Sequence, residues 1–425
     1  MANKKIFCSV PWTNTHLYWD GSYGGCCCEY IHPIGTQYNI KNTSLIQWYS
    51  SDTMKNLRKR ILEDSPLPEC VSCYNEELNG HESRRIKENF KSVIFTEQAF
   101  QKSFEQSPWY DEFTPDTKVL PVDWHVDFGN ECNLACKMCN PNASSIIANQ
   151  YKKWGIESNS NLNWTNDKQS WDQFLENVKS VKKLNRIHIM GGEPLINKKF
   201  LEFVNWLIEH NYSNLSFSFV TNGTKVDEET IKLLKFFKSV DIEVSLESIN
   251  RTNDYIRQGS NVDEILTNIN NIKNLGFNVV LRSVPQLLNV NDYYQYIKWA
   301  FDKNIIIQSN PLIFPKYLAI QVLPQEIKKN LIPQYKKVKE YIIENSGALI
   351  NTISTGRDIS RLSYQLIREC NTIISMLDQQ PPDNIQDLRK ELIEWLIRWD
   401  KVYNLDAREY YPEYKEFLEY YGYQV

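Results

Sequence analysis

A chain of 425 residues with 42% hydrophobic and 24% charged residues is long enough for two or three domains with substantial cores. Its net charge of −4 and its pI near 6.0 exclude a general nucleic-acid or anionic-membrane binder, which is normally basic. No apolar run approaches the roughly 18 residues of a membrane span, and Met1–Cys8 lacks the apolar stretch of a secretory signal. The expected address is cytoplasmic, and there ten cysteines are expected to bind metal rather than to form disulfides.

Residues 1–90 hold Cys8, Cys26, Cys27, Cys28, Cys70 and Cys73. His16–Trp19 reads as a strand, Asp20-Gly21 as a hairpin turn, and Asp52–Glu63 as a helix capped by Ser51 or Asp52. Pro66 and Pro68 stop that helix just before Cys70-Val71-Ser72-Cys73. Thiols delivered by a hairpin and a CxxC arm make a closed metal site, for which structural zinc is an alternative to iron and sulfide. Cys27 and Cys28 are either spare ligands or small hydrophobes packed beside the site. Residues 91–120 read as a connector. Just before it, Arg84 and Arg85 either steer an anionic substrate or lie on a solvated helix face.

Across 121–320 the pattern alternates strand and helix, which predicts an α/β fold with a parallel sheet. Strands are expected at 122–128, 185–190, 215–221, 241–247, 278–284 and 305–313. Helices are expected at 143–153, 169–181, 197–209, 227–238, 262–274 and 292–302. In α/β barrels, ligands sit at the C-terminal ends of strands, and the polar motifs fall there. After the first strand comes Cys132-x-x-x-Cys136-x-x-Cys139, a claw able to ligate three irons of a [4Fe–4S] cube and leave the fourth open. After the second comes Gly191-Gly192-Glu193: the glycines permit close backbone approach and the carboxylate can accept from an ammonium. Thr221-Asn222-Gly223 follows the third strand. The fourth runs through Ser245 to Glu247, with Arg257, a planar fork suited to a carboxylate, twelve positions after Ser245. An alternative for Arg257 is a surface pair with Asp254 or Glu247. The stretch 158–166 reads as a loop near the barrel mouth.

These motifs resemble those of radical S-adenosylmethionine (SAM) enzymes of the SPASM/twitch branch. The resemblance implies a partial (βα)6 TIM-like barrel whose Cys132, Cys136 and Cys139 hold a [4Fe–4S] cluster. In that family SAM chelates the open iron and is cleaved to a 5′-deoxyadenosyl radical. Gly191, Gly192 and Glu193 would then meet the SAM amino end, and Asn222 would lie in the cofactor site. Ser245 and Arg257 would meet its ribose and carboxylate. Met138 stands where the family usually has an aromatic residue beside adenine. Residues 1–90 resemble a twitch module, which implies that Cys8, Cys26, Cys70 and Cys73 bind one auxiliary [4Fe–4S] cluster. Here that module precedes the barrel, whereas it usually follows it.

From 321 to 425 the chain reads as helical, with helices at 325–345, 358–379, 384–402 and 411–420. The amphipathic spacing of Leu388, Leu392, Ile393, Leu396 and Trp399 would close the barrel or bind a partner. Cys370 has no partner motif and is expected in the core. The function implied is a radical SAM oxidoreductase that oxidatively modifies a peptide or protein side chain, fed by a flavodoxin- or ferredoxin-like electron donor. A dehydrogenase of a small sugar-like or nucleoside-like alcohol is the alternative, and a non-enzymatic Fe–S or zinc protein the competing class. A base that deprotonates a substrate radical is sought among Asp127, His188 and Glu247.

Overall fold

The computed structural model describes residues 6–26, 34–78, 83–94, 113–312, 314–350 and 359–425. Among them are ten strands: β1 (Asn14–Leu17), β2 (Tyr23–Gly24), β3 (Asp123–Asp127), β4 (Ala135–Cys136), β5 (Arg186–Met190), β6 (Ser216–Thr221), β7 (Ser239–Ser245), β8 (Arg257–Gln258), β9 (Asn278–Ser283) and β10 (Ile306–Ser309). The expected barrel strands are β3, β5, β6, β7, β9 and β10. Each starts within two residues of its expected position, but β10 ends at Ser309 because Asn310-Pro311 follows and proline cannot donate to a ladder. The fold is therefore α/β, six strand–helix units of a partial (βα)6 barrel followed by a helical extension.

Two compact units divide the chain. The first comprises Met1–Cys132, Asn140–Val220 and Asp227–Val240, and the second Asn133–Cys139, Thr221–Val226 and Asp241–Val425.

In the first unit, β6, β5, β3 and β1 are successive parallel neighbours, and β2 adds antiparallel to β1. The N-terminal region thus lends a strand to the barrel sheet. Alternation gives this sheet two unlike faces. Trp124, Val126, Ile187, Ile189, Phe217 and Phe219 are buried on one. There Trp124 lies 6.2 Å, ring to ring, from Phe174 of the helix Lys168–Ser180. Phe219 lies 5.0 Å from Phe200 of the helix Lys198–Glu209. Asp167 and Asn197 cap these two helices through their side chains, as helix starts require. The opposite face is polar and also buried. His16, His125, His188 and Ser218 stand side by side there in one row of the register.

In the N-terminal part, the expected helix runs Asp52–Leu62 with Ser51 accepting from Met54 N, and the helix before it, Leu45–Tyr49, opens on a full capping box at Ser44. Arg58, fully buried, donates to the carbonyls of Pro11, Tyr49 and Pro115 and staples these segments together.

The second unit holds the parallel neighbours β7, β9 and β10 and the short antiparallel pair β4–β8. Long helices Gln325–Ile350, Ile359–Asp378 and Ile385–Tyr403 match the expected ones. The second of them covers β10, whose outer side would otherwise be an open edge. Gln365 donates to Ile307 O at 2.7 Å, and Glu369 accepts from Ser309 at 2.6 Å and from Tyr293 at 3.0 Å. Cys370 is fully buried, as expected for a core thiol.

Candidate active site

Every motif expected at a strand end is at one. In the first unit the segment after β3 meets the Gly-Gly-Glu turn that follows β5. Gly191 and Gly192 have φ of +81° and +53°, a region that favours glycine. A Cβ on Gly192 would lie 2.1 Å from Glu131 O, and one on Gly191 2.7 Å from Gly129 O. The close approach that the glycines permit is thus to the backbone just before Cys132. Glu193 N also donates to Glu131 O at 2.7 Å. The Glu193 carboxylate is buried and accepts from Leu195 N at 3.1 Å.

The polar sheet face carries two of the base candidates. Asp127 accepts from His16 Nε2 at 3.1 Å. His188 Nδ1 lies 2.8 Å from Ser218 Oγ. Between them, His125 Nε2 accepts from Arg84 at 2.9 Å and from Arg186 at 3.4 Å. Guanidinium groups only donate, so toward these arginines the ring nitrogen can only accept. Arg84 also pairs with Glu88 and Arg85 with Glu77, so neither arginine lies on a solvated face.

The second unit holds the rest of the claw. Residues 133–139 are tied down at three points. Asn133 exchanges side-chain hydrogen bonds with Asn222 and Thr224 at 2.8 and 2.9 Å. Ala135 and Cys136 pair with Gln258 and Arg257 as β4 and β8. Lys137 donates to Tyr255 O at 2.9 Å and lies 3.8 Å from Asp400. Cys136 is buried, whereas Met138 and Cys139, like Cys132 in the first unit, are half-buried.

Arg257 does pair with Glu247, but inside the protein and not on the surface. Its Nη2 and Nε donate to Glu247 Oε1 at 2.6 and 3.2 Å, and Nη1 points to Cys136 Sγ at 3.7 Å. Glu247 has no exposed surface, and its other oxygen accepts from Val284 N at 2.8 Å. Burial raises the Glu247 carboxyl above its usual range, against the pull of Arg257. Ser245, the last residue of β7, is buried at its strand end.

Burial likewise pushes the Cys136 thiol up, while Arg257 draws it down. A thiol of this kind becomes a thiolate when iron binds it, and a guanidinium beside it stabilises the charge. The donors therefore suit an Fe–S cluster. In the first unit Cys8, Cys26, Cys70 and Cys73 line one cavity together with Leu57 and Arg85. Burial and the neighbouring Cys70 raise the Cys8 thiol, and Arg85 opposes them. The four thiols share this cavity with one cation, Arg85, and one carboxylate, Glu69. Among the described residues, no three His, Cys, Asp or Glu side chains already converge to hold a metal ion. The expectations for Cys27 and Cys28 fall outside the described residues.

Lys137 and Asp400 escaped the sequence reading. A signal was present: Asp400 follows Leu392 and Leu396 at helical spacing, so a carboxylate occupies the next place in an apolar stripe.

Residues 126–300 match the family model described as the Radical SAM superfamily. Mycofactocin maturase MftC of Mycolicibacterium smegmatis is 26% identical over 157 residues, 37% of this chain and 35% of that protein. GTP 3′,8-cyclase of Synechocystis is 25% identical over 177 residues, 41% of this chain and 49% of that protein. The chain thus spans between a third and a half of the length of these curated relatives. Streptococcus suis SuiB bound to S-adenosylmethionine matches with a TM-score of 0.35 and 13% identity, covering 69% of this chain and 61% of that one. Among the described residues, no helix is long and apolar enough to cross a membrane.

Proposed function

We propose, because the chain belongs to the radical SAM superfamily, that it cleaves SAM reductively and uses the resulting radical to modify a peptide or protein side chain oxidatively. The observation that carries this reading is the match of residues 126–300 over the segment that bears both the thiol claw and the Gly-Gly-Glu turn. When bound, a [4Fe–4S] cluster supplies one electron and SAM supplies the 5′-deoxyadenosyl radical that removes a substrate hydrogen. In this reading Cys132, Cys136 and Cys139 hold that cluster. The family resemblance assigns Gly191, Gly192, Glu193, Asn222, Ser245 and Met138 to SAM. Arg257, positioned by Glu247, would support the Cys136 thiolate, and the family resemblance assigns it to the SAM carboxylate.

Cys8, Cys26, Cys70 and Cys73 are proposed to hold one auxiliary [4Fe–4S] cluster, supported by their common cavity and by Arg85 beside it. Asp127 and Glu247 are each engaged by a neighbouring imidazole or guanidinium. His188 is engaged as well, its Nδ1 2.8 Å from Ser218 Oγ, so the base is proposed among these three residues. The peptide reading draws on a relative named as a maturase; a flavodoxin or ferredoxin is proposed as the electron donor because the cluster must be reduced by one electron. Dehydrogenation of a small sugar-like or nucleoside-like alcohol is the second reading; a relative named for GTP supports the small-molecule substrate class and not that reaction.

The test is anaerobic reconstitution, an iron count, and a search for 5′-deoxyadenosine after dithionite and SAM. About eight irons per chain with 5′-deoxyadenosine are expected, and about four would leave the N-terminal thiols to zinc or to no metal. A full iron count with neither cleavage nor SAM binding would overturn the reading.

A further inference from the structure

The loop that carries Cys136 and Cys139 is held by a buried charge pair that ligation of iron does not itself demand. Lys137 is 2% exposed and Asp400 is fully buried. Lys137 Nζ lies 3.8 Å from Asp400 Oδ1, donates to Tyr255 O, and sits 3.8 Å from the centre of the Tyr255 ring. Asp400, on the helix Ile385–Tyr403, accepts from Tyr255 Oη at 3.0 Å, Tyr423 Oη at 2.5 Å and Ala407 N at 3.0 Å. Taking two charges out of water costs several kcal/mol per ion and is offset only by close pairing and saturating hydrogen bonds. Three donors converge on Asp400 Oδ2, while buried Oδ1 has no hydrogen-bond partner among the described residues and has the Lys137 ammonium as its neighbouring charge; a carbonyl and a ring face hold that ammonium. A lysine between two cluster cysteines would otherwise be solvated at no such cost.

We propose that Asp400 is a positioning residue for the cluster loop. Through Lys137 it lets the C-terminal helical region hold residues 133–139 in shape before iron arrives, so that region is part of the cluster site. Unlike β4–β8 pairing, which joins two segments within 121–320, this tie reaches more than 260 positions along the chain into the C-terminal helical region, from Lys137 to Asp400. Tyr255 takes part twice, with its carbonyl on Lys137 and its hydroxyl on Asp400. The arrangement therefore also fixes the segment that leads directly into Arg257. The inference rests on the reading that Cys136 and Cys139 are cluster ligands.

The experiment uses the full chain and three variants: Lys137→Met, Asp400→Asn and Tyr423→Phe. In the metal-free protein, amide exchange at 133–139 should rise roughly tenfold or more in the first two, while Val262–Asn274 keeps its protection. In the reconstituted protein, iron should pass to a chelator faster in the same order, with Tyr423→Phe smallest. Lys137→Met should also lower the potential of that cluster, because a cation beside a ligand is lost. Unchanged exchange and unchanged iron retention in all three variants would overturn the proposal. If Asp400→Asn does not fold, Lys137→Met and Tyr423→Phe decide it from the two ends of the network. Loosening of 133–139 in a chain that never takes up iron would support the tie while refuting the cluster reading.

Discussion

The two sets of thiols are built by opposite strategies. The claw comes from one stretch of eight residues, and distant groups only fix its shape: Asn222, Arg257 and, through Lys137, Asp400. The N-terminal set draws on positions 8, 26, 70 and 73, and only folding brings them to one cavity. A site made of one segment keeps its ligands together even in the unfolded chain. A site made of scattered residues depends on every element that supports it, such as the buried Arg58 staple. The claw should therefore tolerate loss of remote supports in degrees, whereas the N-terminal site should be lost as a unit.

The largest expected effect tests independence of the two sites. Cys136→Ala should abolish 5′-deoxyadenosine formation and remove about four irons, leaving the N-terminal set loaded. Cys70→Ala should do the converse: about four irons lost and SAM cleavage retained, with conversion of the substrate impaired. If either change empties both sites, the comparison fails.

A second effect concerns the claw's buried support. Arg257→Leu strands Glu247 without its cation and should cost about 3–5 kcal/mol in urea denaturation of the metal-free chain. Replacing both partners by apolar residues of similar size should recover much of that loss. Failure to recover would mean that the pair serves stability and not the Cys136 sulfur.

The smallest effect lies at the start of the helix Lys168–Ser180 in the first unit. Hydrogen bonds from Ser170, with help from Lys41, hold the Asp167 carboxyl at about 2, below the usual carboxylate range. A depressed carboxylate stabilises the fold above its unfolded pKa and loses that contribution as pH falls through its folded one. Thermal stability of the metal-free wild type should therefore drop between about pH 4 and about pH 2 by more than that of Asp167→Asn. Parallel curves would remove the cap from the account.

Much of the fold was legible because its signals are local. The alternation of strand and helix located β3, β5 and β6, and the helix cap at Ser51 lies beside the segment it starts. The identity of the claw was legible for the same reason, since three thiols within eight residues need no partner to be recognised. Arg257 and Glu247 were both singled out, but their burial was not, because burial depends on what packs around β7 and β8. Glu247, a candidate base by sequence, is fully buried and paired with Arg257. The row His16–His125–His188 was equally hidden, because strands 14–17, 123–127 and 186–190 become neighbours only through register.

The sequence by itself determined the six strand–helix units, the C-terminal helices, and the residue types available at each strand end. These follow from periodicity, capping and the fixed side-chain chemistry of Cys, Gly and Glu. Only the tertiary structure decided that β1 joins the barrel sheet, that four N-terminal thiols share a cavity, and that Asp400 reaches Lys137. Those outcomes are set by desolvation. A charge or a strand edge must find its partner wherever the fold places one, and no spacing along the chain encodes that distance.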